Sequence, residues 1–310
     1  MNTQKLKQMY HWMYLCREFD KKAVWLQRTG RLGTFPSSLH QEAIFTAAAM
    51  SLHTLDLYIP YYRDHAALLC RGVTILELLK YWGGLESGSN FSNSHDFPVC
   101  VPIATQFPHA VGASLAFKLQ NKDHVVLCTS GDGATSKGDF YESLNFAKIH
   151  NLKIIFLINN NQWAISVPLK EQSATLSLTK KADAFDMPSV QIDGNDPSAL
   201  LHGLTLAREK ALDGPILVET LSYRICDHTT ADDASRYQPQ DERNSALQND
   251  PLKCLANLLV SEDIEMIHQN IDHLISEEVD KFLQLTPPDS SEIFKHQYSH
   301  DNSYTLPITE

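Results

Sequence analysis

The chain has 310 residues, of which 43% are hydrophobic and 20% charged, a profile that suits a globular protein with a sizeable core. Its formal charge is −11, from 26 basic against 37 acidic residues with no dense basic run, which argues against nucleic acid or an anionic membrane as partner. There is no signal-peptide pattern and no apolar run near the ~20 residues of a membrane span, and Cys16, Cys70, Cys100, Cys128, Cys226 and Cys254 are scattered without a C-x-x-C pair, so a cytoplasmic protein with reduced thiols is expected.

Residues 4–28 read as a long amphipathic helix, with Leu6, Met9, Tyr10, Met13, Phe19, Val24 and Leu26 on its apolar positions and Gly30 and Gly33 ending it. A polar turn, TFPSS, leads to His40, Gln41, Glu42 and Ala43 and a second helix through Met50. In the run 58–65, Tyr62 and Arg63 stand just before a helix. Their hydroxyl and guanidinium suit phosphate oxygens, while a surface salt bridge is the plainer alternative. Residues 66–82 read as helical, broken at Gly72, and 83–98 as a loop. His95 and Asp96 in that loop are expected on the surface, since no second cluster stands at metal-ligand spacing. A short extended run at 99–104 feeds a helix from Gln106 to Leu119. Its small residues Ala110, Gly112, Ala113 and Ala116 suggest close packing against another helix or chain.

The most informative stretch is 125–166. An apolar strand (Val125, Val126, Leu127, Cys128) ends in Gly131, Asp132 and Gly133. A helical pattern follows through Phe140, Leu144, Ala147 and Ile149, and a second strand over 154–158 ends in Asn159, Asn160 and Asn161. Such a strand–helix–strand unit brings Asp132 and Asn161 to one sheet edge, the edge where ligands of open α/β sheets sit. One carboxylate and one amide oxygen are too few to hold a metal alone. They suit Mg2+, which completes its shell with substrate phosphate and water. The glycines admit a phosphate to the backbone, and the following helix N-terminus favours its charge. The residues thus point to a Mg2+–diphosphate site, although a Gly-Asp-Gly turn by itself is common in βαβ units. GDG followed by NN about 30 residues later, the length of one helix plus one strand, resembles the thiamin-diphosphate motif.

Beyond a polar loop to Thr179, residues 190–192 read as a strand, Asp193 to Pro197 as a turn and N-cap, and 198–212 as a helix. A strand over 216–222 ends in a loop holding Tyr223, Arg224, Asp227, His228, Asp232 and Asp233, where active-site loops lie, though a surface loop has the same composition. Helices are expected at 252–259 and 264–283, then a break at Pro287 and Pro288 and a polar tail.

The ordered stretches GRLGTFPSSLHQEA, IPYYRDHAALLCRG, VPIATQFPHAVGASLAFK, GDGATSKGDFYESLNFA, NNNQWAIS, QIDGNDP, GPILVETLSYR and DHTTADDASRY resemble the α subunit of the thiamin-diphosphate-dependent 2-oxo acid dehydrogenases of the pyruvate and branched-chain type, over residues 5–290. The resemblance implies an α/β thiamin-diphosphate-binding fold, a central, mostly parallel sheet flanked by helices, in one domain over 1–310 with an N-terminal helix and a C-terminal helical tail. It implies Mg2+ on Asp132, Asn161 and the Trp163 carbonyl, and the diphosphate on Tyr62 and Arg63 with backbone help from Gly133 and Ala134. Val101 and Ile103 match the segment that meets the aminopyrimidine, and His228 matches the active-site histidine. Arg224, Asp232, Asp233 and Tyr237 match residues that order its loop. Cys100, Pro102, Thr105 and Gln106 match a potassium site of some members.

There are departures from the family pattern. His40 stands where Gly is usual, Asn159 where some members reach the phosphate with Arg, Trp163 for the usual Tyr, and Gln162 for a common Gly. The implied activity is decarboxylation of a 2-oxo acid with acyl transfer to the lipoyl group of an acyltransferase, pyruvate being favoured over branched-chain acids or acetoin. The implied partner is a β subunit that completes the site in an assembly of two α and two β chains. A non-catalytic scaffold that kept the fold is the contrasting class. A self-sufficient transketolase-like enzyme is disfavoured by length, since no second, pyrimidine-binding half is visible.

Overall fold

The computed structural model describes residues 3–92, 95–286 and 288–290. The first half runs α1 (Thr3–Arg28), α2 (Glu42–Ser51), β1 (Leu57–Ile59), α3 (His65–Cys70), α4 (Ile75–Trp82), α5 (Gln106–Leu119), β2 (Val126–Gly131) and α6 (Gly138–Ile149). The second half runs β3 (Ile154–Asn160), β4 (Trp163–Ala164), β5 (Val167–Pro168), α7 (Leu169–Gln172), β6 (Ser189–Asp193), α8 (Pro197–Lys210), β7 (Ile216–Leu221), α9 (Gln240–Gln248), α10 (Pro251–Ala256) and α11 (Ser261–Leu283). The main sheet has the order β1-β2-β3-β7-β6, and every pairing in it is parallel. The expected α/β class with a parallel sheet is therefore observed.

A parallel sheet is covered on both faces, so its strands are apolar throughout rather than alternating. β3 is buried at every position. Alternate residues sort between two cores. Leu127, Ile155, Leu157 and Val218 pack with α1, α2, α8 and α11. Val126, Cys128, Ile154, Phe156 and Ile158 pack with Phe107, Phe140 and Leu144 of α5 and α6. The long α1 buries Met9, Tyr10, Met13, Phe19 and Leu26 as expected, while Leu6 and Val24 flank the core.

Several expectations need correction. The TFPSS turn, polar as it is, is largely buried, with Phe35, Ser37 and Ser38 in the interior. Asp96 is not a surface carboxylate either. Its side chain is buried, ion-paired to Arg71, and accepts the Tyr58 N–H at 2.8 Å, so it anchors the loop to β1. The run 99–104 is mostly turn: only Cys100 bridges in parallel to Tyr61, and Ala104 takes φ 73°. β1 has no sequence signal, because three residues before Pro60 carry too little pattern. α9, which buries none of its residues, has none for want of an apolar stripe. The polar loop before Thr179 contains the small β4–β5 hairpin and α7. The expected break at Pro287 and the tail beyond 290 lie outside the described residues.

Candidate active site

The site begins where β2 and β3 end. These strands pair with Gly131 opposite Asn159, so Asp132 and Asn161 emerge side by side at the carboxyl edge. After Gly131 the chain makes a single 3-10 turn over Asp132–Ser136 and then enters α6. Gly133 is required here by close approach, because a Cβ on it would lie 2.9 Å from the Ala164 Cβ of the β4–β5 hairpin. The hairpin folds over the turn and brings Trp163, Ala164 and Ile165 to the same place.

A cavity of about 190 Å3 opens at this edge, lined among others by Tyr62, Arg63, Ile103, Asp132, Gly133, Ala134, Asn161, Trp163 and His228. These expected site residues thus converge from separate segments of the chain. Val101 does not line the cavity and is exposed. Of the four potassium candidates only Gln106 lines it. Its Nε2 donates to the Thr129 carbonyl at 3.0 Å and its buried Oε1 has no partner, while Thr105 donates to the Pro102 carbonyl at 2.8 Å.

Asp132 is the chemical centre. It is buried, neither carboxylate oxygen has a well-formed hydrogen bond, and burial pushes its pKa up to about 6 despite the nearby backbone N–H groups of Asp132 and Asn161 and the charges of Arg224 and Arg63. Orphaned buried carboxylates are costly, and one of this kind is suited to a ligand. Among the described residues no group of three His, Cys, Asp or Glu could hold a metal, so a cation here needs neutral oxygens as well. Asn161 and Trp163, which line the same cavity, carry such oxygens. The Asn161 amide is fixed by donating to Gln41 Oε1 at 3.2 Å and accepting Trp163 N–H at 3.2 Å. Arg224 donates to the Trp163 carbonyl at 3.2 Å and to Ile165 O at 2.7 Å, locking the hairpin. One carboxylate and two neutral oxygens fit Mg2+ that shares a diphosphate.

Arg63 lines the same cavity. It is 1% exposed and forms no ion pair with a carboxylate among the described residues, so it is not a surface salt bridge. Its Nη1 donates to Ser37 O and its Nη2 to His228 O at 3.1 Å, while Nε is buried without a partner. Its charge is therefore oriented and not neutralised. Tyr62 lies against it, ring centroid 5.5 Å from the guanidinium carbon.

His228 meets Arg63 Nη2 at 3.4 Å through Nδ1. A guanidinium only donates, so Nδ1 accepts and Nε2 carries the proton. Burial, then Arg63 and Arg224, push the imidazole pKa down to about 3, which keeps it neutral. Its loop is tied by Asp232, which accepts the His228 N–H at 2.8 Å and the Tyr237 hydroxyl, and Tyr237 accepts from Arg224 at 2.8 Å. Asp233 is turned away into a local cap on Ser235.

Two departures are explained. His40 adopts φ 66°, the left-handed region in which Gly is the usual residue, so the family's glycine has a backbone reason and His40 bears its strain. Asn159 does not line the cavity, and its amide is engaged by Gln41 at 2.7 Å and Ser222 at 2.7 Å. Gln41, which holds both amides, stands in the matched stretch GRLGTFPSSLHQEA, but the resemblance gives it no role there. Gln172, whose Nε2 donates to the Asp132 carbonyl at 2.8 Å, has no mark in the sequence.

Comparison with known proteins bears on this geometry. The family model described as "Dehydrogenase E1 component" matches residues 10–290. The chain belongs to the dehydrogenase E1 component family. As an E1 chain it is similar to the pyruvate dehydrogenase E1 component subunit alpha of Mycoplasma genitalium, 35% identical over 96% of this chain and 86% of the relative. It is similar to the 3-methyl-2-oxobutanoate dehydrogenase subunit alpha of Mycobacterium tuberculosis, at 36% over 96% and 83%. The 2-oxoisovalerate dehydrogenase subunit alpha of Bacillus subtilis is 36% identical over 81% of each chain. The resemblance read from the motifs holds, and thiamin diphosphate is the cofactor this E1 family implies. No helix among the described residues is long and apolar enough to cross a membrane.

Proposed function

We propose that this chain is the diphosphate-anchoring α subunit of a 2-oxo acid dehydrogenase, acting on pyruvate and passing the acyl group to the lipoyl group of an acyltransferase. The observation that carries this reading is the buried, unpartnered carboxylate of Asp132 lining one cavity with Asn161, Trp163 and an Arg63 that no carboxylate among the described residues pairs. Asp132, Asn161 and the Trp163 carbonyl would hold Mg2+. Tyr62 and Arg63 would bind the diphosphate, with Gly133 and Ala134 close enough to offer backbone. Ile103 would meet the aminopyrimidine, with Val101 beside it, and the free Oε1 of Gln106 would serve a potassium ion. When bound, thiamin diphosphate supplies a carbanion and an electron sink for decarboxylation. His228, neutral with its N–H on Nε2, is equipped to hydrogen-bond the substrate through that N–H and so orient it.

Ile103 and Ile165, which line the cavity, are 44% and 55% exposed, so one side of the site is open. This supports a β subunit that closes it. Relatives named for pyruvate and for branched-chain acids are equally similar, so the branched-chain reading stands second. The test is decarboxylation of pyruvate, 3-methyl-2-oxobutanoate and acetoin by the chain with and without its β partner, with Mg2+ and thiamin diphosphate. Turnover of pyruvate, and only with the partner, is expected. Turnover by the chain alone would overturn the split site, and no turnover by a well-formed complex would favour a non-catalytic scaffold.

A further inference from the structure

Arg63 is aimed by two backbone carbonyls, those of Ser37 and His228, which lie in segments distant in sequence. A carbonyl orients a guanidinium only if its own segment is held. The Ser37 segment is held from within α1. Asp20 accepts Ser38 N–H at 2.9 Å, Ser38 Oγ at 3.2 Å and the Ser37 hydroxyl, and is 3% exposed. The same segment is joined directly to the histidine loop: Phe35 N–H donates to Thr230 Oγ1 at 3.0 Å, and Thr230 N–H donates to Phe35 O at 2.9 Å. The two carbonyls that aim Arg63 thus belong to one clamp, closed by Asp20 at one end and the Phe35–Thr230 pair at the other. Neither Asp20 nor Thr230 lines the cavity.

We propose that Asp20 and Thr230 are positioning residues for diphosphate binding: they fix the Ser37 and His228 carbonyls that point Arg63 into the site. This rests on the reading that Arg63 binds the diphosphate. The clamp replaces the carboxylate that would ordinarily hold a buried arginine. A carboxylate would orient the guanidinium but compete with the diphosphate for its charge, whereas carbonyls orient it and leave the charge free.

The experiment is calorimetric titration of thiamin diphosphate, with Mg2+, into the full chain assembled with its β partner. Thr230→Val and Asp20→Ala each weaken binding about tenfold, the size of one hydrogen bond to a charged group. Thr230→Ser restores parental affinity. The decisive reading is non-additivity. In an Arg63→Gln background, Thr230→Val causes no further loss, because the group it positions is gone. General structural damage would instead add in full, and that result overturns the proposal, as does parental affinity in Thr230→Val. Should Asp20→Ala fail to fold, Thr230→Val, at a half-buried position, decides alone. If Arg63→Gln itself binds thiamin diphosphate as the parent does, the diphosphate reading of Arg63 falls, and the clamp's proposed role falls with it.

Discussion

At the scale of single residues, Asp132 sets an opposition between stability and ligand binding. Its carboxyl titrates near 6 in the fold against an ordinary 3.8, so between those values the folded chain binds more protons than the unfolded one. The stability Asp132 allows is fully present below about pH 4 and is lost as pH rises through about 6. Asp132→Asn removes that loss. At pH 8 without Mg2+ the variant resists urea better than the parent, by on the order of 1–3 kcal/mol, yet gains nothing when Mg2+ and thiamin diphosphate are added. Equal urea midpoints at pH 8 would count against this account. Asp132 and Asn161 were legible in the sequence, because the strand–helix–strand spacing brings them to one sheet edge, whereas Arg63 and His228 were marked by the family resemblance, their local runs fitting a surface salt bridge or surface loop equally well. The role of Gln41 was not legible: it meets Asn159 and Asn161 across about 120 residues, and nothing local marks a contact that only the fold creates.

Among the elements, those with strong periodicity were the ones read correctly. α1, the βαβ unit and the turn from β6 into α8 carry helix or strand patterns, and Asp196 caps α8 as its place before Pro197 predicts, accepting Ser198 and Ala199 N–H. The two-residue strands β4 and β5 and the polar α9 have no such pattern; tertiary contact and backbone bonding define them. The turn before α8 also supplies a test. A Cβ at Gly194 would lie 2.4 Å from Leu221 O and 3.0 Å from the Ile44 side chain, so β7 and α2 pack directly against this glycine. Gly194→Ala should therefore lower stability in urea denaturation by about 1–3 kcal/mol. A midpoint within error of the parent would show that the β6–β7 edge yields more easily than its packing implies.

For the whole molecule, one face is better explained as part of a larger assembly. Space around Gly112 on α5 is open, with nothing within 4 Å of the place a Cβ would occupy. Leu119, Tyr141, Phe146 and Ile149 are large apolar side chains left exposed on α5 and α6. A bulkier residue at 112 costs the isolated chain nothing sterically, and replacing a mid-helix Gly favours it slightly. Gly112→Leu should then keep the parental melting temperature as a single chain but fail to co-elute with a β partner on gel filtration. Co-elution as the parent does would place the partner elsewhere.

The clamp around Arg63 has a consequence for the chain's economy in the cell. A buried cation without a counter-ion is an unmet need, and a diphosphate held by Arg63, as proposed above, would meet it. Folding and cofactor supply are then thermodynamically linked. A ligand at about a hundredfold excess over its dissociation constant adds about 2.7 kcal/mol to the folded state, and when supply falls that increment goes. On the proposed diphosphate role of Arg63, the stability of the folded chain would then report the availability of its cofactor, through a buried arginine that no carboxylate among the described residues neutralises.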